Sequence, residues 1–278
     1  MQLIRTIREF RAWHSAAAGT LGVVPTMGYL HEGHFSLVRA SKRDNVRTAV
    51  TIFVNPTQFG PNEDLSRYPR DEARDLALLD AEGVDVVFMP PVEEMYPEGF
   101  STYVSVEGLT ARLEGASRPT HFRGVTTIVM KLLAITQPER AYFGQKDAQQ
   151  LAVIRRMVHD LDVPIEIVGL PIVREPDGLA LSSRNVYLSP EQRAAALVLS
   201  RSLRLAEELV RAGERDADVV RARMREIIEG EPLAAVDHVS VSDAETLEEL
   251  ARIERPALAS LAVRFGATRL IDNATLTP

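Results

Sequence analysis

The chain has 278 residues, of which 45% are hydrophobic and 26% charged, and a formal net charge of −7; this is the size and composition of one large or two modest folded domains and not the composition of a disordered chain. The acidic balance argues against a broad footprint for nucleic acid, so an anionic ligand has to find its cations locally. Cysteine is absent, which excludes disulfides, thiolate nucleophiles and cysteine-held metal clusters and fits a reducing, cytoplasmic setting.

In chain order, residues 1–19 interrupt every apolar run with charge, which predicts a short strand and an amphipathic helix, and neither a signal peptide nor a membrane span. Runs rich in Val, Ile and Phe follow at 20–26, 46–55, 84–90, 140–146 and 164–173, and read as mostly buried strands. Between them the segments "HFSLVRASKR", "PRDEARDLALLDAEG", "VTTIVMKLLAIT" and "AQQLAVIRRMVHD" space their apolar residues at helical intervals. That alternation predicts βαβ units around a parallel sheet. Beyond about residue 175, two Ala/Leu/Arg/Glu-rich stretches (189–211 and 214–229) predict long helices separated at Gly213, and "VDHVSVSD", "ALASLAVRF" and "TRLIDNATL" predict consecutive strands. Helices followed by strands suggest a separate small α+β domain, with the boundary in the Pro- and Gly-containing "VREPDGLA".

The first strand-to-helix crossing reads "VPTMGYLHEGHFSLV". In an open parallel sheet this is the usual place for phosphate, because strand ends and helix N-terminal N–H groups converge there. Neither G-x-G-x-x-G nor G-x-x-x-x-G-K-[ST] occurs, so the dinucleotide and P-loop readings fail. His31 and His34, three apart on one face of a first helical turn, can instead aim both imidazoles at one phosphate, with Gly28 and Gly33 letting a ligand approach the backbone. The same residues also fit an exposed polar helix start. A zinc site is not expected, since H-E-x-x-H is absent and no third ligand is evident.

Three later stretches carry further candidates. In "VNPTQFG", Asn55 and Gln58 are neutral amides that can orient a hydroxy acid, although Asn55 equally suits an Asn-Pro turn cap. In "FGQKDAQQ", Lys146 is a compact cation suited to phosphate, and Asp147 and Gln150 share a helical face, with Asp147 also able to serve as an N-cap. In "GLALSSRN", Ser182, Ser183 and Arg184 offer two hydroxyls and a planar cation, a clamp for pyrophosphate or an ordinary interdomain loop. G-x-S-x-G is missing, so a serine nucleophile is not expected. Arg118 and Arg123 are further basic candidates, and no acidic pair stands out as a metal site.

"PTMGYLHEGH" resembles the nucleotide-binding signature of the pantothenate synthetase family, in the nucleotidylyltransferase superfamily. "VNPTQFGPNEDLSRYPR", "RPTHFRGVTTIVMKL" through "FGQKDAQQ", and "GLALSSRNVYLS" resemble the same family in order and spacing, so the likeness covers nearly the whole chain. Tyr29 departs from it, standing where the family often has a smaller residue, which leaves the pocket shape open.

The resemblance implies a Rossmann-like ATP- and pantoate-binding domain over 1–174 and a smaller α+β domain over 175–278 that forms a lid. It implies ATP-dependent condensation of pantoate with β-alanine to pantothenate, AMP and pyrophosphate through a pantoyl adenylate. ATP would be a substrate and Mg²⁺ would be held mainly by its phosphates. The enzyme would be a cytoplasmic homodimer with small-molecule partners, touching neither nucleic acid nor membrane. By the same resemblance, His31, His34, Lys146 and Arg184 are catalytic, with His34 as proton donor. Met27, Gly28, Tyr29, Leu30, His31, Glu32, Gly33 and His34 line the nucleotide site with Gly144, Gln145, Lys146, Asp147, Val173, Leu181, Ser182, Ser183 and Arg184, while Gln58, Gln150, Asn55 and Arg118 take pantoate or β-alanine. A cation that meets the triphosphate only after ATP has entered suits a movable segment, which is the expectation for 176–185. Two rivals stay open: a nucleotidylyltransferase that leaves AMP on its product, and a silent nucleotide sensor.

Overall fold

Apolar runs of strand length alternate with amphipathic helices from the first residues, and the structure follows that alternation. A computed structural model describes residues 1–61 and 63–278; Asn62, inside one of the stretches quoted above, lies outside the described residues. The chain forms two compact units, one of Met1–Gln145 with Val153–Pro171 and the other of Lys146–Ala152 with Ile172–Pro278.

In the first unit, β1 (Gln2–Ile4), β2 (Leu21–Thr26), β3 (Arg47–Ile52), β4 (Val86–Phe88), β5 (Arg140–Gly144) and β6 (Glu166–Leu170) make one sheet in the order β1-β4-β3-β2-β5-β6. Every pairing is parallel. The helices α1 (Ile7–Ser15), α2 (Glu32–Asp44), α3 (Glu72–Ala81) and α6 (His121–Thr136) connect the strands, with two single-turn helices, α4 (Val92–Met95) and α5 (Glu114–Ser117), before α6. Covered on both faces, the central strands are largely buried, and β3 is buried at all six residues, Arg47, Thr48 and Thr51 included. From β2 the chain runs to β3 and β4, then crosses back to place β5 on the other side of β2. The adjacent carboxyl ends of β2 and β5 therefore flank the point where the winding reverses, the usual ligand crevice of such sheets.

Helix α6 is buried along almost its whole length. Gly124 permits this, because a Cβ there would lie within 2.6 Å of the Gln58 Cα and closer still to the Thr57 carbonyl. The glycine thus sets the distance between α6 and the turn after β3.

Helix α7 (Ala148–Asp160) follows β5, and its first residues belong to the second unit. The remainder of that unit holds α8 (Pro190–Ala195), α9 (Leu197–Arg211), α10 (Ala217–Glu229) and the antiparallel sheet β7-β8-β9 of Ala234–Asp243, Ala257–Phe265 and Thr268–Leu276. Leu203, Ala206, Val210, Val220, Met224 and Ile228 pack on Val241, Leu261, Val263 and Leu276. The single helix expected over 189–211 is divided at Ala196, where the backbone tightens and its N–H reaches both Gln192 and Ala194 carbonyls. The second unit resumes at residue 172.

Candidate active site

Strand β2 ends at Thr26, and the chain then turns through two successive left-handed residues, Gly28 (φ +81°) and Tyr29 (φ +51°), before α2 begins. Glycine takes that conformation freely, whereas for tyrosine it costs roughly 1–2 kcal/mol. Three anchors offset the cost. The Tyr29 and Leu30 N–H groups donate to the two oxygens of Asp75 over 2.6 and 2.8 Å, Arg74 Nη2 donates to the Leu30 carbonyl over 2.9 Å, and the Arg74 guanidinium stands 5.3 Å from the Tyr29 ring centre. Asp75 is 1% exposed; burial pushes its pKa up, and the two backbone donors oppose that shift. Neither Asp75 nor Arg74 was among the sequence candidates. The available signal was an aspartate one helical turn before the fully buried Leu79, a charge on the apolar face of α3.

The turn delivers His31 to the N-cap of α2 and His34 to its third position, with ring centres 4.1 Å apart. The His31 N–H donates to His34 Nδ1 over 3.3 Å, which makes that nitrogen an acceptor and leaves the His34 ring proton on Nε2. The sequence placed Glu32 and Leu30 among the expected ATP contacts. In the structure the Glu32 carboxylate pairs with Arg39, and the Leu30 side chain sits in the core with Val50 and Leu79, so Leu30 offers the loop its backbone.

Strand β3 leads into a 3₁₀ turn, Pro56–Gln58, capped by Asn55. Asn55 is buried and its amide is engaged within the protein: Nδ2 donates to Gln58 Oε1 and to the Gly124 carbonyl, each over 3.1 Å, while Oδ1 accepts from the hydroxyls of Tyr96 (2.8 Å) and Thr57 (2.9 Å). Its polar atoms orient Gln58. The Gln58 Nε2 in turn lies 3.2 Å from Met27 Sδ, bringing two separate sequence stretches together.

The backbone carbonyl of Gln58 accepts from His121 Nδ1 over 2.9 Å and from Arg118 Nη2 over 3.3 Å. Burial first, and the Arg118 charge second, push the His121 pKa down to about 4. Arg118 also binds Glu63 through Nε, 2.8 Å from Oε1, and through Nη2. Burial raises the Glu63 pKa, and Arg118 more than offsets this, leaving it below its ordinary value. Arg123 stacks on Tyr103 at 4.0 Å. His121 was another residue that sequence reasoning passed over.

The 3₁₀ turn Gln145–Asp147 follows β5, and its Lys146 opens the second unit, with Gln150 at the start of α7. Residues 173–181, which include the boundary stretch "VREPDGLA", form a hairpin. The Leu181 N–H donates to the Val173 carbonyl (3.0 Å), the Glu175 N–H to the Leu179 carbonyl (2.8 Å), and Arg174 bridges Ala180. Arg193 from α8 fixes the tip through Glu175 and Asp177, each at 2.7 Å. Ser182 then caps a 3₁₀ turn, Ser183–Tyr187, by accepting the Arg184 N–H over 3.3 Å. Paired charges at both ends of a short segment favour the hairpin over irregular chain.

Among the described residues no group of three or more His, Asp or Glu side chains could hold a metal ion, and no helix is long and apolar enough to cross a membrane.

The family model for pantoate-beta-alanine ligase matches residues 2–275. A pantothenate synthetase of Roseiflexus castenholzii is 64% identical over 276 residues, covering 99% of each chain. Among solved structures, a pantothenate synthetase from Thermus thermophilus superposes with a TM-score of 0.96 at 50% identity over 100% of both chains. The pantoate-beta-alanine ligase of Francisella tularensis, complexed with beta-gamma ATP and beta-alanine, gives 0.82 at 33% identity over 99% of this chain and 97% of that one.

Proposed function

The chain belongs to the pantoate–β-alanine ligase family, and from that premise we propose that it condenses pantoate with β-alanine at the expense of ATP, by way of a pantoyl adenylate. A pantoate carboxylate oxygen attacks the α-phosphorus, the bond to the β-phosphate oxygen breaks, and pyrophosphate leaves. The β-alanine amine then attacks the acyl carbon, the carbon–oxygen bond to AMP breaks, and the amine gives up a proton.

The protein's share in both steps is orientation and charge stabilisation. His34 and His31 contact the phosphates, and with Nδ1 occupied by the His31 N–H, His34 serves through its Nε2 proton. Lys146 and Arg184 neutralise the triphosphate and the leaving pyrophosphate. Gln58 and Gln150 orient pantoate, and Asn55 and Arg118 support Gln58. Mg²⁺ would be held mainly by ATP itself and would supply charge neutralisation beside Lys146 and Arg184. The reading includes a homodimer in the cytoplasm.

One observation carries it: the Gln58 amide, 3.2 Å from Met27 Sδ, stands beside the turn that leads into the paired histidines, so an acid-orienting group and a phosphate-binding turn share one edge of the sheet. The test is pantoate labelled with ¹⁸O in its carboxylate. Label appearing in AMP, and AMP forming steadily only when β-alanine is present, is the expected result. Unlabelled AMP removes the adenylate, and a lasting adenylated product favours the rival nucleotidylyltransferase.

A further inference from the structure

The C-terminal strand of the second unit carries two adjacent polar residues that the reaction scheme leaves without a role. Side chains alternate along β9, and Leu270, Ala274 and Leu276 face the core under α9 and α10, so Asp272 shares their face and Asn273 takes the other. Both are buried, at 2% and 7% exposure. Burying a carboxylate on an apolar face is costly unless it is paired, and a β-branched apolar residue would serve the sheet at least as well. Sheet stability therefore does not account for the pair.

What the two residues hold does account for them. Asp272 receives the Arg174 guanidinium at two points, over 2.6 and 2.9 Å; the same guanidinium donates to the Gly178 carbonyl (3.0 Å) and the Asn273 carbonyl (3.3 Å). One side chain thus ties the base and the tip of the 173–181 hairpin to β9. The turn Ser183–Tyr187 that follows also lies against β9. On the opposite face, Asn273 Nδ2 donates to the carbonyl of Lys146 over 2.8 Å.

We propose that Asp272 and Asn273 are positioning residues for the triphosphate cations. Asn273 fixes the backbone from which the Lys146 side chain departs, and Asp272, through Arg174, fixes the hairpin that leads to Ser182, Ser183 and Arg184. The inference rests on the reading of Lys146 and Arg184 as phosphate ligands.

The test uses the full-length enzyme and steady-state kinetics for ATP and pantoate separately, with thermal melting alongside. Asn273→Ala is expected to lower kcat/KM for ATP about tenfold, the effect of losing one buried hydrogen bond, with the KM for pantoate unchanged. Asn273→Asp keeps the size but turns an oxygen toward the Lys146 carbonyl, so it should be at least as damaging. Adding Asn273→Ala to Lys146→Ala should cost nothing further, since the residue acts through Lys146. Arg174→Lys keeps the charge beside Asp272 but loses the two-point geometry, and should impair ATP use with melting near normal; it carries the second arm should Asp272→Asn fail to fold. A silent Asn273→Ala, a fully additive double variant, or losses in both substrates that track the melting temperature would overturn the inference while leaving the function intact. Normal turnover in Lys146→Ala would instead overturn the reading of that lysine.

Discussion

The backbone N–H of Tyr29 donates to Asp75 Oδ2 over 2.6 Å, and this one bond ties a left-handed tyrosine in the first strand-to-helix turn to a helix 46 residues later in the chain. The neighbouring oxygen takes Leu30. A buried carboxylate on α3 thereby anchors the backbone of the turn that leads into α2 and its two histidines.

Asp75→Ala leaves two buried N–H groups without an acceptor, at about 1–3 kcal/mol each. The expected outcome is a loss of stability of that order in urea unfolding, together with weaker ATP binding by calorimetry. Unchanged ATP affinity in a destabilised Asp75→Ala protein would confine the residue to a structural role.

His121 supplies a pH dependence whose sign can be worked out. Its pKa falls from 6.5 to about 4 in the folded chain, so between those values the unfolded state binds more protons than the folded one. Stability is then full above 6.5 and declines as pH falls toward 4, by on the order of 3 kcal/mol at the acid end. Urea midpoints for the wild type and His121→Gln across this range should diverge, with the variant showing the flatter profile. Parallel profiles would mean that His121 does not titrate this way.

Asn55 and Gln58 act as one unit, because an Asn55 Nδ2 proton goes to Gln58 Oε1 over 3.1 Å. Gln58→Ala should raise the KM for pantoate about tenfold, and Asn55→Ala should do the same by releasing Gln58, with ATP binding nearly unchanged in both. The double variant should be no worse than Gln58→Ala alone. Independent effects that sum would assign Asn55 a separate contact with substrate.

His34→Ala and Lys146→Ala each remove a group assigned to stabilise charge in the transition state, and each should lower turnover on the order of 100-fold with the fold intact by circular dichroism. Arg184→Ala should slow adenylate formation more than the later amine attack, since pyrophosphate has left by then. Single-turnover measurements separate the two steps, and equal slowing of both would remove Arg184 from the first.

The elements that place the candidate site were legible in the sequence because they are set by local periodicity. Alternating strand and helix patterns located β2, β3, β5 and the helices after them, and the Met27–Gly28 turn and the His31–His34 spacing could be read from neighbours a few residues apart. Partnership across the chain was a different matter. That Asp75 holds Leu30 from 45 residues away, that His121 holds the Gln58 carbonyl from 63, and that Arg174 meets Asp272 from 98 has no trace in local spacing. Packing decided these contacts: once a buried polar atom loses water it must find a partner within hydrogen-bond reach, and which partner stands there depends on how the helices and strands stack. The sequence by itself determined where the chemistry-bearing residues lie along the chain. Tertiary structure decided that Asn55 and Arg118 hydrogen-bond Gln58, and that the 173–181 segment is a hairpin tied by Arg174, because only the folded chain brings their partners within 3.3 Å.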